Sequence, residues 1–380
     1  MNQDKCVTDK VPIYKPMLPR GTALLPYLSR MDESRVYSNR GPLIALLEER
    51  LADCLTGTRE SVVTAASGTA ALQAAILAAA GRAAVGKTLA LMPGYTFSAT
   101  AFAAQAAGYE PCFCDLAPGA WRLRPEDVLA NPRIEKAGIV IPVAPFGELP
   151  AQQEWLNFQR QTGIPVVIDA AASFEAIRQN PALSVGDIPL SLSFHATKSF
   201  STAEGGAVVW ADREGLEKAA QAMNFGMLYA RASRSAGFNG KLSEYHAAIG
   251  LAGLDALDEK QAMRQSVLAI YRREAAAFGL TSRLVLSPAI ASCYALFRAD
   301  TEGGAQAVVH ALERRRIETR FWYGRGVQAE PYFVAQGALA LPETEKMATR
   351  IVGIPIADDM AEHNVKRIME ALSERQDGYA

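Results

Sequence analysis

Between about residues 60 and 220, short apolar runs alternate with segments of helical period. ESVVTAAS reads as a strand and GTAALQAAILAAA as a helix; TLALM then reads as a strand and FSATAFAAQAAG as a helix. EPCFCDL is a strand, PEDVLANPRIEKA helical, GIVIPVAPF a strand, PAQQEWLNFQRQTG a helix and IPVVID a strand, with LSLSFH and GAVVWA following as two more. Strands alternating with helices predict a mostly parallel sheet covered on both faces, here of seven strands. In such sheets ligands sit at the carboxyl ends of the strands. From 243 to 278 the pattern is helical throughout, longer than most globular helices. A bend there would carry the chain into a smaller C-terminal domain, which predicts a large domain over 1–260 and a small α+β one over 261–380.

Composition narrows the class. The 380 residues carry a formal charge of −1 and no long basic run, so neither nucleic acid nor an anionic membrane is an expected partner. MNQDKCVTDK lacks the apolar centre of a signal peptide, and AALQAAILAAA is too short to span a bilayer. Five cysteines, an odd number in a long chain without a secretion signal, fit a reducing cytoplasm better than a disulfide framework. Cys112 and Cys114 alternate on one strand face and read as packing.

Two glycine motifs compete for an anion. GRAAVGKT, residues 81–88, matches the phosphate-cradling G-x-x-x-x-G-K-[ST] letter for letter. Its context is reversed, because it follows a helix and enters a strand, whereas a phosphate loop leaves a strand and opens a helix. SVVTAASGTAAL has the right order: strand, then Ser67-Gly68-Thr69, then helix. Its helix start supplies free N–H groups and its glycine permits close approach. Alone, it is also an ordinary helix cap.

Two further segments turn the cap into a site. IPVVID ends in Asp169, and in SLSFHATKSFSTAEGGAVVW a strand ends at His195 with Lys198 just beyond. An anion nest, a strand-end carboxylate and a strand-end amine are the three anchors pyridoxal 5'-phosphate needs. The helix start takes its phosphate, the carboxylate its ring nitrogen and the lysine its aldehyde. Tyr95-Thr96-Phe97, at another strand end, can supply an aromatic to cover the ring.

SFHATKSFSTAEGG resembles the signature of the DegT/DnrJ/StrS aminotransferases, which act on nucleotide-linked sugars. The likeness runs through YSNRGPLIALLEERLADCL, AASGTAAL, MPGYTFSATAFAAQAAGYEPCFCDL, VVIDAAASF, GFNGKLSEYHAAIGLAGL and RRIETRFWYG, in the family's order. It implies the aspartate-aminotransferase fold, fold type I, and a homodimer whose sites are shared. By the same resemblance Lys198 matches the family's cofactor-linking lysine, Asp169 the partner of the ring nitrogen and Phe97 the stacking position. Gly68, Thr69 and Ser193 match phosphate contacts, and Asn239 the asparagine that reaches the phosphate from the neighbouring subunit.

The resemblance further implies amino transfer from glutamate to a keto sugar nucleotide, a dTDP- or UDP-linked 4-keto-6-deoxy sugar, in polysaccharide biosynthesis. Lys198 would move the proton. Arg320, Trp322 and Tyr323 of TRFWYG, with His195, are candidate substrate contacts, since arginine suits a diphosphate and aromatic rings a base or sugar face. A sugar dehydratase or a regulator is the alternative, but the family's dehydratases replace the lysine with histidine. Two positions depart from the pattern. Ala172 stands where the family usually has a Gln or His that bonds the cofactor's phenolic oxygen, and VAPFG lacks the His and Tyr often found before that glycine.

Overall fold

The structure is a computed structural model that describes residues 10–286 and 293–374. Cys6, most of MNQDKCVTDK and the last six residues of the chain lie outside the described residues. The chain divides into two compact units. The larger holds residues 18–257 and 325–345; the smaller gathers the described parts of the chain before residue 18, of 258–324 and from 346 onward.

Seven strands of the larger unit follow the apolar runs: β1 (Val62–Ala65), β2 (Leu89–Pro93), β3 (Glu110–Cys114), β4 (Ala137–Val140), β5 (Ile168–Asp169), β6 (Leu190–Ser193) and β7 (Gly206–Val209). β1, β2 and β7 are buried along their whole length, as strands covered on both faces are. The ladders are two, ordered β1–β7–β6–β5 and β3–β2–β4. Isolated parallel bridges, Val140 to Val166 and Val143 to Asp169, lie between β4 and β5. The sheets are mixed: β7 runs antiparallel to both β1 and β6, while β5 pairs with β6, and β2 with β3 and β4, in parallel. The reason is local. The link from β6 to β7 holds no helix, and a parallel return is usually made through a helical crossover.

Between the strands, helix Gly68–Ala79 packs its alanines against helix Arg213–Met223 and against β6 and β7. PEDVLANPRIEKA is less helical than its pattern suggests. Only Pro125–Leu129 is an α-helix and Ile134–Lys136 a single tight turn, because Pro132 disfavours the helical region for the residue before it. GRAAVGKT is a loop between helix Gly68–Ala79 and β2, with Gly81 at φ 71° and Lys87 Nζ donating to the Glu135 carbonyl (3.0 Å). Cys112 and Cys114 are both buried on one face of β3. Burial pushes the Cys114 thiol up to about 12, which suits an inert packing residue.

The long helical stretch is two helices, Glu244–Asp255 and Leu257–Ala277, broken at Ala256. The smaller unit then builds an antiparallel sheet ordered β10 (Ile351–Ile354), β9 (Ala295–Arg298), β8 (Leu284–Val285), with helices Glu302–Arg314 and Glu362–Ser373. Phe297, Tyr271, Leu312, Val352 and Ile368 fill its core.

The division at Leu257/Asp258 lies close to the expected one at 260/261, but two segments belong elsewhere than two sequential blocks would put them. Val11 pairs with Ile317, which ties residues 10–17 to the smaller unit. Residues 325–345 return to the larger unit, where the Asp115 carboxylate accepts from the N–H groups of Glu343 (3.1 Å) and Thr344 (2.8 Å).

Candidate active site

The carboxyl ends of β1, β5 and β6 and the start of β7 converge in the larger unit. At the end of β1, Ser67 caps helix Gly68–Ala79, its hydroxyl accepting from the Ala70 N–H (3.1 Å). The N–H groups ahead of it, at Gly68 and Thr69, have no partner one turn back in any helix and so face outward for an anion. Gly68 is there for space: a Cβ would stand 2.6 Å from Ser193 Cβ and 3.0 Å from Ser193 Oγ. Gly206 is equally confined, with a Cβ falling 2.6 Å from the carbonyl oxygens of both Ser67 and Leu192. Ser67, Gly68, Ser193 and Gly206 therefore meet at one point, and the two glycines let them. Thr69 is exposed at the same helix start.

The turn that carries Lys198 is pinned at both ends. Phe194 N–H donates to the Gly205 carbonyl (2.8 Å), Thr202 N–H to the Phe194 carbonyl (3.0 Å) and Lys198 N–H to the His195 carbonyl (2.9 Å). Phe194 and Phe200, on either side of Lys198, are buried and meet edge to face at 4.9 Å. Phe200 also stacks on Phe174 at 4.8 Å, in the helix just after Asp169. Three buried phenyl rings, each worth about 1.5–3 kcal/mol in burial, thus tie the lysine turn to the aspartate turn. Lys198 itself is half-buried.

Asp169, the last residue of β5, is buried. Its Oδ2 accepts from Thr100 Oγ1 (2.7 Å) and its Oδ1 from Ala171 N–H (3.1 Å). Burial raises its carboxyl above the ordinary value, while Thr100, Ala171 and the charge of Lys198 act to lower it. Neither Thr100 nor Thr96, whose hydroxyls are 2.7 Å apart, was singled out from the sequence; their one-turn spacing around Phe97 was the available signal. Phe97 is 61% exposed, so its ring face is open to stacking, whereas its neighbour Tyr95 is buried against Phe146. These positions offer a buried anion, an amine, a helix start and an open ring, which is the donor set pyridoxal phosphate needs.

The remaining positions fall as follows. His195 is exposed, its Nδ1 2.9 Å from Thr197 Oγ1 and its Nε2 3.8 Å from Glu204. Asn239 is exposed, and its Oδ1 accepts from Lys241 Nζ (3.0 Å); the adjoining Gly240 carbonyl accepts from Ala66 N–H (2.7 Å), beside the Ser67 turn. The Ala172 carbonyl lies where a Cβ on Gly147 would meet it at 2.6 Å, so backbone packs against backbone there. Arg320, Trp322 and Tyr323 belong to the smaller unit. Arg320 donates to the Tyr14 hydroxyl (3.1 Å), and Trp322 meets Tyr14 and Tyr294 edge-on.

The model of the DegT/DnrJ/EryC1/StrS aminotransferase family matches residues 21–373. Protein Rv3402c of Mycobacterium tuberculosis is 34% identical over 376 residues, 97% of this chain and 90% of that protein. The dTDP-4-amino-4,6-dideoxy-D-glucose transaminase of Shigella dysenteriae is 31% identical over 268 residues, 69% of each chain. The crystal structure of DesI in the presence of its TDP-sugar product superposes with a TM-score of 0.80 at 28% identity, over 96% of this chain and 92% of that one.

Proposed function

The chain belongs to the DegT/DnrJ/EryC1/StrS aminotransferase family, and we propose that within it this protein moves an amino group from glutamate to the keto group of a nucleotide-linked sugar. It is an aminotransferase of fold type I, α/β with mixed sheets, and its cofactor is pyridoxal phosphate. The observation that supports the reading is that the parallel neighbours β5 and β6 end side by side, at Asp169 and at Ser193, with the turn that carries Lys198 following directly.

Asp169 would hold the cofactor's ring nitrogen, Lys198 its aldehyde, and Gly68, Thr69 and Ser193 its phosphate, with Asn239 reaching the phosphate of a partner subunit. Phe97 would cover the ring. When bound, the cofactor supplies an electron-withdrawing ring that stabilises negative charge at the carbon bearing the amine. Lys198 Nζ takes the proton from the donor's α-carbon, a role that its pinned turn suits. Phe194 and Phe200 anchor the turn from which that amine projects.

The acceptor is a dTDP- or UDP-linked 4-keto-6-deoxy sugar. The named activity of the Shigella relative and the TDP-sugar of DesI support this choice. Arg320, Trp322 and Tyr323 would receive the nucleotide-sugar, and His195 the sugar's edge. The two ladders act as one seven-stranded sheet, a reading supported by the parallel bridges at Val140 and Val143. The protein works as a homodimer in the cytoplasm, on amino sugars for polysaccharide.

Purified protein is expected to be yellow, and borohydride to fix the chromophore on the peptide bearing Lys198. Lys198→Ala should take up no fixed label by mass spectrometry. A colourless protein that added pyridoxal phosphate leaves unchanged overturns the reading. Incubation with glutamate and a panel of dTDP- and UDP-linked keto sugars, followed by release of 2-oxoglutarate, names the acceptor.

A further inference from the structure

Thr100 has no part in the roles just given, yet its buried hydroxyl is the middle of a chain. Thr96 Oγ1 is 2.7 Å from Thr100 Oγ1, and Thr100 Oγ1 is 2.7 Å from Asp169 Oδ2. An ionised carboxylate can only accept, so the single Thr100 proton goes to Asp169. The Thr100 oxygen is then the acceptor for Thr96, whose other option, the Phe97 carbonyl, is distant at 3.5 Å. The chain therefore has one direction: Thr96 to Thr100 to Asp169. Ala171 N–H donates to the other carboxylate oxygen at 3.1 Å.

Both threonines are buried: Thr96 sits in the bend before the Phe97 cap and Thr100 in the first turn of the helix, on either side of exposed Phe97. The same hydroxyls thus fix the start of helix Ser98–Ala106 against the end of β5.

We propose that Thr100, backed by Thr96, is a positioning residue that holds Asp169 in its acceptor-only form and in the orientation needed to take a cationic ring N–H, while registering Phe97 over the same ring. The inference rests on the pyridoxal-phosphate reading of the site. It follows from the burial of Asp169, because a carboxylate removed from water keeps its charge only where donors replace the lost solvent.

The test uses full-length protein freed of cofactor, with pyridoxal phosphate titrated by absorbance and folding followed by thermal unfolding. Thr100→Val should weaken cofactor binding about tenfold or more, the loss expected for one hydrogen bond to a charged group. Thr100→Ser, which keeps the donor, should stay within about twofold of wild type. In an Asp169→Asn background, Thr100→Val should add less than about twofold, because its effect passes through the carboxylate. Thr100→Cys, a weaker donor, supplies an intermediate point and keeps the test open if valine disturbs folding. Equal losses in both backgrounds, or wild-type affinity in Thr100→Val, overturn the inference while wild-type binding leaves the cofactor reading standing. A wild-type protein that binds no pyridoxal phosphate overturns both.

Discussion

Asp169 is where single-residue physics is most exposed to measurement. Burial dominates its environment and raises its carboxyl above the ordinary value, and the opposing donors and the Lys198 charge do not cancel that. An acid whose native pKa is raised holds its proton more tightly folded than unfolded. Its contribution to stability is complete below the unfolded value and is lost as pH rises through the native one. Cofactor-free wild type should therefore lose stability as pH climbs above about 4, the ordinary carboxyl range, for this residue's part. Asp169→Asn has no such titration. The thermal midpoint of the variant relative to wild type should rise as pH climbs above the ordinary carboxyl range of about 4, by about 2 °C per kcal/mol recovered in a chain of this size. A difference that stays flat over that climb would show that Asp169 is solvated rather than confined. The variant's cofactor affinity should fall at the same time, since the charge that destabilises the empty fold is the one a cationic ring would neutralise.

At the scale of elements, two glycines separate the rival anion motifs. Gly68→Ala drives a methyl into Ser193 at 2.6 Å, so helix Gly68–Ala79 must back away from β6. Overpacking of this kind costs about 1–3 kcal/mol, and here it also moves the helix start, so pyridoxal-phosphate affinity should drop with stability. Gly81→Ala meets nothing within 4 Å but sits at φ 71°. It should cost about 1–2 kcal/mol of stability from backbone strain and leave cofactor affinity unchanged. Lys87→Ala should change neither. Thermal unfolding beside absorbance titration checks all three, and loss of cofactor in Gly81→Ala or Lys87→Ala would return GRAAVGKT to contention.

The same contrast shows what sequence can disclose. The order strand, turn, helix at SGT and its reverse at GRAAVGKT are legible because helix ends are local, and so are the placements of Asp169 at the end of β5 and of Lys198 in the turn after β6. The direction of β7 is not legible in its apolar run, because a burial pattern is the same whichever way a strand runs. Thr100 was silent because its hydrogen bond crosses 69 positions, and a threonine in the first turn of a helix looks ordinary. The return of residues 325–345 was silent for a like reason: it hangs on the Asp115 carboxylate accepting backbone N–H groups far along the chain. Apolar patterns report which face is buried, and they carry no information about which polar atom meets which.

For the whole molecule, the proposed reach of Asn239 to the phosphate of a partner subunit makes a test that no single chain can pass. Within its own chain, Gly240 bonds Ala66 at 2.7 Å, which brings the segment beside its own Ser67 turn, yet the Asn239 side chain is exposed and turned to Lys241. An exposed amide between two close-packed glycines, Gly237 and Gly240, is well placed to serve a second copy instead. In a two-fold dimer each site would then need Lys198 from one chain and Asn239 from the other. Lys198→Ala should be inactive and Asn239→Ala severely weakened, each tested alone. Mixed, unfolded and refolded together, the two variants should recover about a quarter of wild-type activity, because random pairing makes half the dimers mixed and each mixed dimer has one intact site. If Asn239 serves its own chain, every site in the mixture carries one damaged residue and nothing returns. The release of 2-oxoglutarate from the refolded mixture, set against each variant refolded alone, decides between the two arrangements.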